Sequence, residues 1–343
     1  MELISVYNEV KKRLSKIRFE EIWTGFHLFN FSLYDDKKAV IHDTVIDKPE
    51  NFFANTSEVY NGETIAIWDI SDFDGDFDLL TANLVHEMFH CFQNENGESR
   101  YPSDLELLIY PDSLENYELK QTENAMLADS VLSGRTVDLG KILRCRGLRA
   151  GLIGAVIGQE YRAETIEGAA EYAGMTALLH LSPEKYRARL EKYCAMIAEP
   201  SPLLFDIRRI CYYTGTLLML LYRKAGLDDF PFTDKPHFET VKEKTAEEGI
   251  AIRSYPDIRE MLRDTVKKRE KEISSFRESH PVFTEARGFI CGYDPMNMIR
   301  CGDFILCSHC VFLNVSGKTR QIMQPVLLQM EKNDSCHVAG YYL

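Results

Sequence analysis

Four glutamates, Glu160, Glu164, Glu167 and Glu171, recur at spacings of 4, 3 and 4 residues, which sets them on one stripe of a single helix. Like charges in such a row repel one another unless cations or hydrogen-bond donors compensate. The rest of the chain must therefore either solvate this stripe or supply it with partners. The same segment carries Gly168, Ala169, Ala170, Ala173 and Gly174, small residues that let a second helix approach closely. A solvated acidic face is one way to accommodate the pattern. A carboxylate helix laid against a metal ion is the other.

A second feature decides between them. Upstream lies Val85-His86-Glu87-Met88-Phe89-His90-Cys91-Phe92-Gln93, a His-Glu-x-x-His pattern of which chance supplies about 0.02 copies in such a chain. Leu79, Leu80, Leu84, Val85, Met88, Phe89 and Phe92 surround it with the apolar positions of a buried helix. Residues four apart share a helical face, so His86 and His90 can point at one ion. Glu87, about 100° further round the axis, stands beside that ion, placed to move a proton to and from a reacting water. Imidazole ligands with an open water position suit zinc, one ion per chain. Two histidines leave the site incomplete, and the glutamate stripe is the best source of a third ligand. Gln93 lies one turn beyond His90, where it can orient a ligand or a substrate carbonyl. Glu171 lies at the far end of the stripe, where it can accept the free N–H of a ligating histidine or hold a substrate amine.

His-Glu-x-x-His followed downstream by Glu167-Gly168-x-Ala170-x-Tyr172 resembles the gluzincin metallopeptidases, in particular their aminopeptidase-like branch. That resemblance implies a zincin-like fold and Glu167 as third zinc ligand, with Glu171 one turn beyond it. It also implies a tyrosine that donates to the developing oxyanion, here Tyr212 within Tyr212-Tyr213-Thr214-Gly215, with Tyr213 as the alternative. The chain departs from the family in three ways. The interval from His90 to Glu167 is much longer, Thr214 stands where lysine is usual, and the Gly-x-Met-Glu-Asn element that binds a substrate amine is absent.

Patterning along the chain gives an α+β organisation: a mixed sheet with the active-site helix over 1–135, a helical region over 136–282, and a small β-rich region over 283–343. Helices are expected near 2–17, 78–95, 115–132, 142–180 (as two), 183–197, 203–225, 238–249 and 257–278. Strands are expected over 22–34, 39–46, 64–70, 289–293, 303–315, 320–329 and 337–342. Acidic residues outnumber basic ones, 53 to 40, for a net charge of −13, which argues against nucleic acid or an anionic membrane as partner. Nine scattered cysteines and the lack of an apolar leader read as reduced thiols in a cytoplasmic protein. The pattern leaves the oligomeric state open.

Other motifs are discounted. Cys307-Ser308-His309-Cys310 is a single knuckle in an alternating segment that would turn its two thiols to opposite faces. Asp72–Asp78 is an acidic loop whose last aspartates cap the next helix. Ser316-Gly317-Lys318-Thr319 is a hairpin turn. The expected function is hydrolysis of a peptide or protein substrate by a zinc-dependent metallopeptidase. The rivals are a zinc hydrolase of a non-peptide amide and a non-catalytic peptide-binding protein.

Overall fold

The computed structural model describes residues 2–135, 138–332 and 334–343, and it mixes helix and sheet in three successive runs. The first run begins with helix α1 (Leu3–Leu14) and a single turn, α2 (Phe19–Ile22). Strands β1 (Phe31–Tyr34), β2 (Lys38–Ile41), β3 (Thr44–Asp47), β4 (Thr56–Tyr60) and β5 (Glu63–Asp69) follow. They form a five-stranded sheet in the order β3-β2-β1-β5-β4, with β1 and β5 parallel and the other pairs antiparallel. Side chains alternate across a strand. Ile65 and Ile67 of β5 accordingly pack with Tyr34, Ile41 and Phe52 on one face, while Ala66 and Trp68 turn to the helices.

The middle run is helical: α3 (Phe77–Glu95), α4 (Asp104–Leu107), α5 (Leu114–Ser133), α6 (Leu139–Ile153) and α7 (Ile157–Leu181), then α8 (Pro183–Ala198), α9 (Ile207–Lys224), α10 (His237–Lys244) and α11 (Pro256–Ser279). Local signals set their starts. Asp76 accepts from the Asp78 and Leu79 amides to open α3, and Asp206 accepts from the Arg209 amide to open α9, each satisfying amides that lack an intrahelical partner. Helix α7 is buried nearly all round, the mark of a central helix. Its small residues do what their size permits. A Cβ on Gly168 would lie 2.4 Å from Gly215 Cα, and one on Gly174 would lie 2.7 Å from Ala82 O. Gly168 thus brings α9 against α7, and Gly174 brings α3.

The last run forms a seven-stranded antiparallel sheet: β6 (Phe283–Tyr293), β7 (Met298–Cys301), β8 (Phe304–Cys307), β9 (Val311–Val315), β10 (Lys318–Ile322), β11 (Val326–Met330) and β12 (His337–Tyr342). Its order is β10-β9-β6-β12-β11-β8-β7, and it has its own core around Ile305, Leu313, Val326, Leu328 and Val338. Leu105 of α4 joins that core, Phe53 meets Phe312 at 6.2 Å between ring centroids, and Arg209 donates to the Met296 carbonyl. The sheet therefore touches both the N-terminal and the helical regions.

Several strands are shorter than their sequence patterns suggested. The apolar stretch 22–34 is strand only over Phe31–Tyr34, because Trp23 and Phe26 are taken up by an aromatic cluster with Phe89 and Phe92. The expected strand 39–46 folds back at His42 and Asp43, both with positive φ, into the β2–β3 hairpin. Segment 303–315 breaks at Ser308-His309-Cys310, where the Ser308 amide bonds Asn297 O and His309 bonds Asp294. The strand alternation on which the opposite orientation of Cys307 and Cys310 rested is interrupted by that break; both thiols are buried, and no metal-ligand group includes them among the described residues. Segment 320–329 breaks at Pro325, which has no amide for the ladder. The helix expected at 203–225 starts at Ile207 after a 3-10 turn over Pro202–Phe205. The helix expected at 238–249 ends at Lys244. Strands β4 and β7 and the turn α4 had no clear pattern in the sequence. Among the described residues no helix is long and apolar enough to cross a membrane.

Candidate metal centre

Helices α3 and α7 cross where Gly174 admits Ala82 and the His86 Cβ, and this contact brings the two sequence motifs together. His86, His90 and Glu167 offer one ligand atom each, all within 4.8 Å of one another. The two Nε2 atoms are 3.1 Å apart. Glu167 Oε2 lies 3.6 Å from His86 Nε2 and 3.3 Å from His90 Nε2. Ligands about 2.0–2.1 Å from a tetrahedral ion sit about 3.3 Å from each other, so the three edges have the right lengths. Among the described residues Glu167 Oε2 is buried without a hydrogen-bond partner, a condition native proteins avoid unless a cation or water meets the atom.

Each of the three groups is held from behind. His86 Nδ1 is 3.0 Å from Glu171 Oε2, and His90 Nδ1 is 2.7 Å from Gln93 Oε1. In both rings Nδ1 faces an acceptor, an arrangement that suits a proton on Nδ1, and Nε2 is turned inward. Gln93 is fixed in turn by donating to Ile166 O at 3.1 Å, which ties α3 to α7 beside the site. Glu167 Oε1 accepts from Arg208 Nη2 at 2.6 Å, and Arg208 Nε is bound by Asp104 at 2.7 Å. Glu171 Oε1 takes Arg189 at 2.7 Å and the Tyr193 hydroxyl. Glu171 thus accepts from a candidate ligand histidine, as one of its two suggested roles requires, and it also borders the cavity beside His86.

The electrostatics follow from this arrangement. Burial pulls the His86 imidazole down, but the Glu167 and Glu171 carboxylates more than offset it and take it up to about 10. The field between the rings thus favours positive charge. Burial raises the Glu167 carboxyl, yet Arg208 and His90 hold it well below its ordinary value. Burial likewise raises Glu171, which Arg189 and His86 bring down to about 2. Glu87 goes the other way: burial pushes it up, against the opposing pull of His86 and His90. Its carboxylate makes no side-chain hydrogen bond among the described residues and borders the same cavity as His86 and Tyr212. The Tyr212 ring stacks on His86 at 5.8 Å, nearly coplanar, and its hydroxyl is pushed up by burial and by Glu167. Tyr213 packs edge-on against Tyr193 instead. Of the two tyrosines, Tyr212 is the one stacked on a candidate ligand ring.

Arg208, Arg189, Tyr193 and Asp104 have no direct sign in the sequence. Arg208 precedes Tyr212 by four residues, and its guanidinium lies 5.3 Å from that ring. Helical periodicity from Tyr212 was the one available pointer. The stripe itself is not a solvated face, since all four glutamates are buried. The long interval between the motifs holds α4, α5 and α6, and the last two carry the cations that meet the stripe's first half.

Comparison with protein-family models, with curated proteins and with solved structures finds no match to this chain.

Proposed function

We propose that the chain is a zinc-dependent peptide hydrolase with a zincin-like helix pair, in which His86, His90 and Glu167 hold the metal. The observation that carries this reading is the convergence of two inward-facing imidazole nitrogens on a buried carboxylate oxygen that has no other partner among the described residues. The donor set of two histidines and one glutamate leaves a fourth position open, as hydrolytic zinc sites require. Zinc bound there would acidify a water and polarise the scissile carbonyl.

The remaining steps belong to the chain's own groups. Glu87 removes a proton from the attacking water and returns it to the leaving amine. Its freedom from internal hydrogen bonds and its raised proton affinity suit a group that must take and give a proton within one cycle. Tyr212 donates to the oxygen that gains charge. Gln93 and Glu171 keep the imidazoles in one tautomer, and Arg208 confines Glu167 to presenting a single oxygen.

Glu87→Gln tests this reading. It should lower peptide turnover by about 10²–10⁴-fold and leave bound zinc in place. Unchanged turnover would refute the mechanism. A wild-type protein that binds zinc and peptides but cleaves none would favour the peptide-binding alternative, and cleavage confined to other amides would favour a non-peptide substrate.

A further inference from the structure

The cavity at the metal centre has a wall from each region of the chain. Trp68 comes from β5, Tyr213 from α9, and Met296 from the 3-10 turn Pro295–Asn297 that leads into β7. Trp68 lies on the helix-facing side of its strand, next to Ala66 in register. The Met296 backbone is fixed beside the cavity because Arg209 donates to its carbonyl at 3.3 Å and the Asp294 side chain accepts from its amide at 2.9 Å. All three side chains remain partly exposed although they are large and apolar or aromatic. They surround the same cavity as His86, Glu87 and Tyr212.

We infer that these three residues form an apolar subsite and that the substrates carry a large apolar or aromatic side chain beside the scissile bond. The inference rests on the hydrolase reading above. Size supports it. The cavity is about 290 Å³, where about 150 Å³ suffices for a benzene ring; one aromatic side chain and its backbone fill it. At the low end of known ligand sites, it suits recognition of one residue rather than a long segment. Charge supports it as well. Glu171 and Arg189 neutralise each other inside the cavity, and Arg209, the other cation on its lining, pairs with Asp206, so among the described residues Glu87, which the chemistry needs, is the one lining charge without an ionic partner. Methionine contributes an adaptable wall that tolerates rings of different shape. On this account the C-terminal sheet has a role in the reaction: it delivers Met296 and so sets which substrates fit.

The two tryptophans allow a binding test that does not depend on turnover. Trp23 is buried in the core, so a change in emission on ligand addition reports on Trp68, and Trp68→Phe should abolish it. Zinc-loaded Glu87→Gln protein is titrated with end-blocked tripeptides that differ only in a central Phe, Ala or Glu. The Phe peptide should bind about tenfold or more tighter than the other two. Adding Met296→Ala should cut that preference to about threefold or less while zinc content stays the same. Equal binding of the three peptides, or a preference that survives Met296→Ala, would overturn the inference. Wild-type protein that prefers the Phe peptide but cleaves nothing would sink the hydrolase reading and leave the subsite standing. Cleavage without any apolar preference would do the reverse.

Discussion

Glu160 and Glu164, in the first half of the α7 stripe, are matched oxygen by oxygen. Glu160 takes Lys120 at 2.7 Å on one oxygen and Arg149 at 2.5 Å with the Tyr110 hydroxyl on the other. Glu164 takes both Arg146 Nη atoms and the Thr214 hydroxyl. In the second half, Arg208 and Arg189 meet Glu167 and Glu171 in the same manner, but the remaining oxygens face the histidines, and Glu167 Oε2 is left bare. Residue type, helix and face are shared, so the difference lies entirely in what the neighbouring helices supply. A fully matched carboxylate fixes the position of a helix. A carboxylate matched on one side only is an offer to a cation.

The sharpest way to break this comparison is to disturb each half separately. Arg149→Met removes the cation shared by Glu160 and Glu123 and leaves buried charge uncompensated. It should cost about 3–5 kcal/mol, read as a lower urea midpoint, with zinc stoichiometry unchanged in the folded fraction. Glu167→Gln should do the opposite. It keeps an acceptor for Arg208, which Asp104 still partly neutralises, but loses the ligand, so zinc affinity should fall by more than about 100-fold, beyond the range of changes to outer partners, while the urea midpoint of metal-free protein falls less than in Arg149→Met. If both variants lost stability and neither lost zinc, the division between the halves would be wrong.

Smaller effects refine it. Gln93→Leu frees His90 Nδ1 and should weaken zinc binding by about 10–100-fold in a chelator competition; an unchanged affinity would mean that the bond to Gln93 does not orient the ring. The least effect is expected from acid. Burial alone would raise Glu160, but Arg149 and Lys120 outweigh it and hold the carboxyl below its ordinary value; Arg146 and Arg149 do the same for Glu123. Groups depressed in the folded state contribute stability that is present above the unfolded value, 4.5 for glutamate, and lost as pH falls below it. The urea midpoint of metal-free protein should therefore drop as pH is lowered from 5 toward 3, and less steeply in Glu160→Gln. A midpoint flat over that range would show that the buried pairs are not ionised as described.

How much of this was readable beforehand depended on the range of the interaction. Helix α3 was expected at 78–95 and spans Phe77–Glu95, since its cap, its apolar face and its glycine stop are all local. The pair expected within 142–180 is α6 and α7, and the hairpin turn at Ser316-Gly317 lies between β9 and β10 as expected. The stripe of glutamates and the small residues beside it were visible, and so was the need for partners. The partners themselves were not: Lys120, Arg146, Arg149, Arg189 and Arg208 come from four other helices, and nothing in their local sequence marks them apart from surface cations. Strand breaks were missed where the cause was local but unusual, as with left-handed His42 and Asp43, or tertiary, as with the bonds that draw Ser308 and His309 to the 294–297 turn.

The central claim is that the half-matched carboxylate and the two imidazoles form a zinc site. The direct measurement is the metal content of purified, tag-free protein by mass spectrometry, for wild type and for His86→Ala. About one zinc per wild-type chain, absent from the variant, is the predicted result. A wild-type chain that holds no metal, even after zinc is restored, would contradict it.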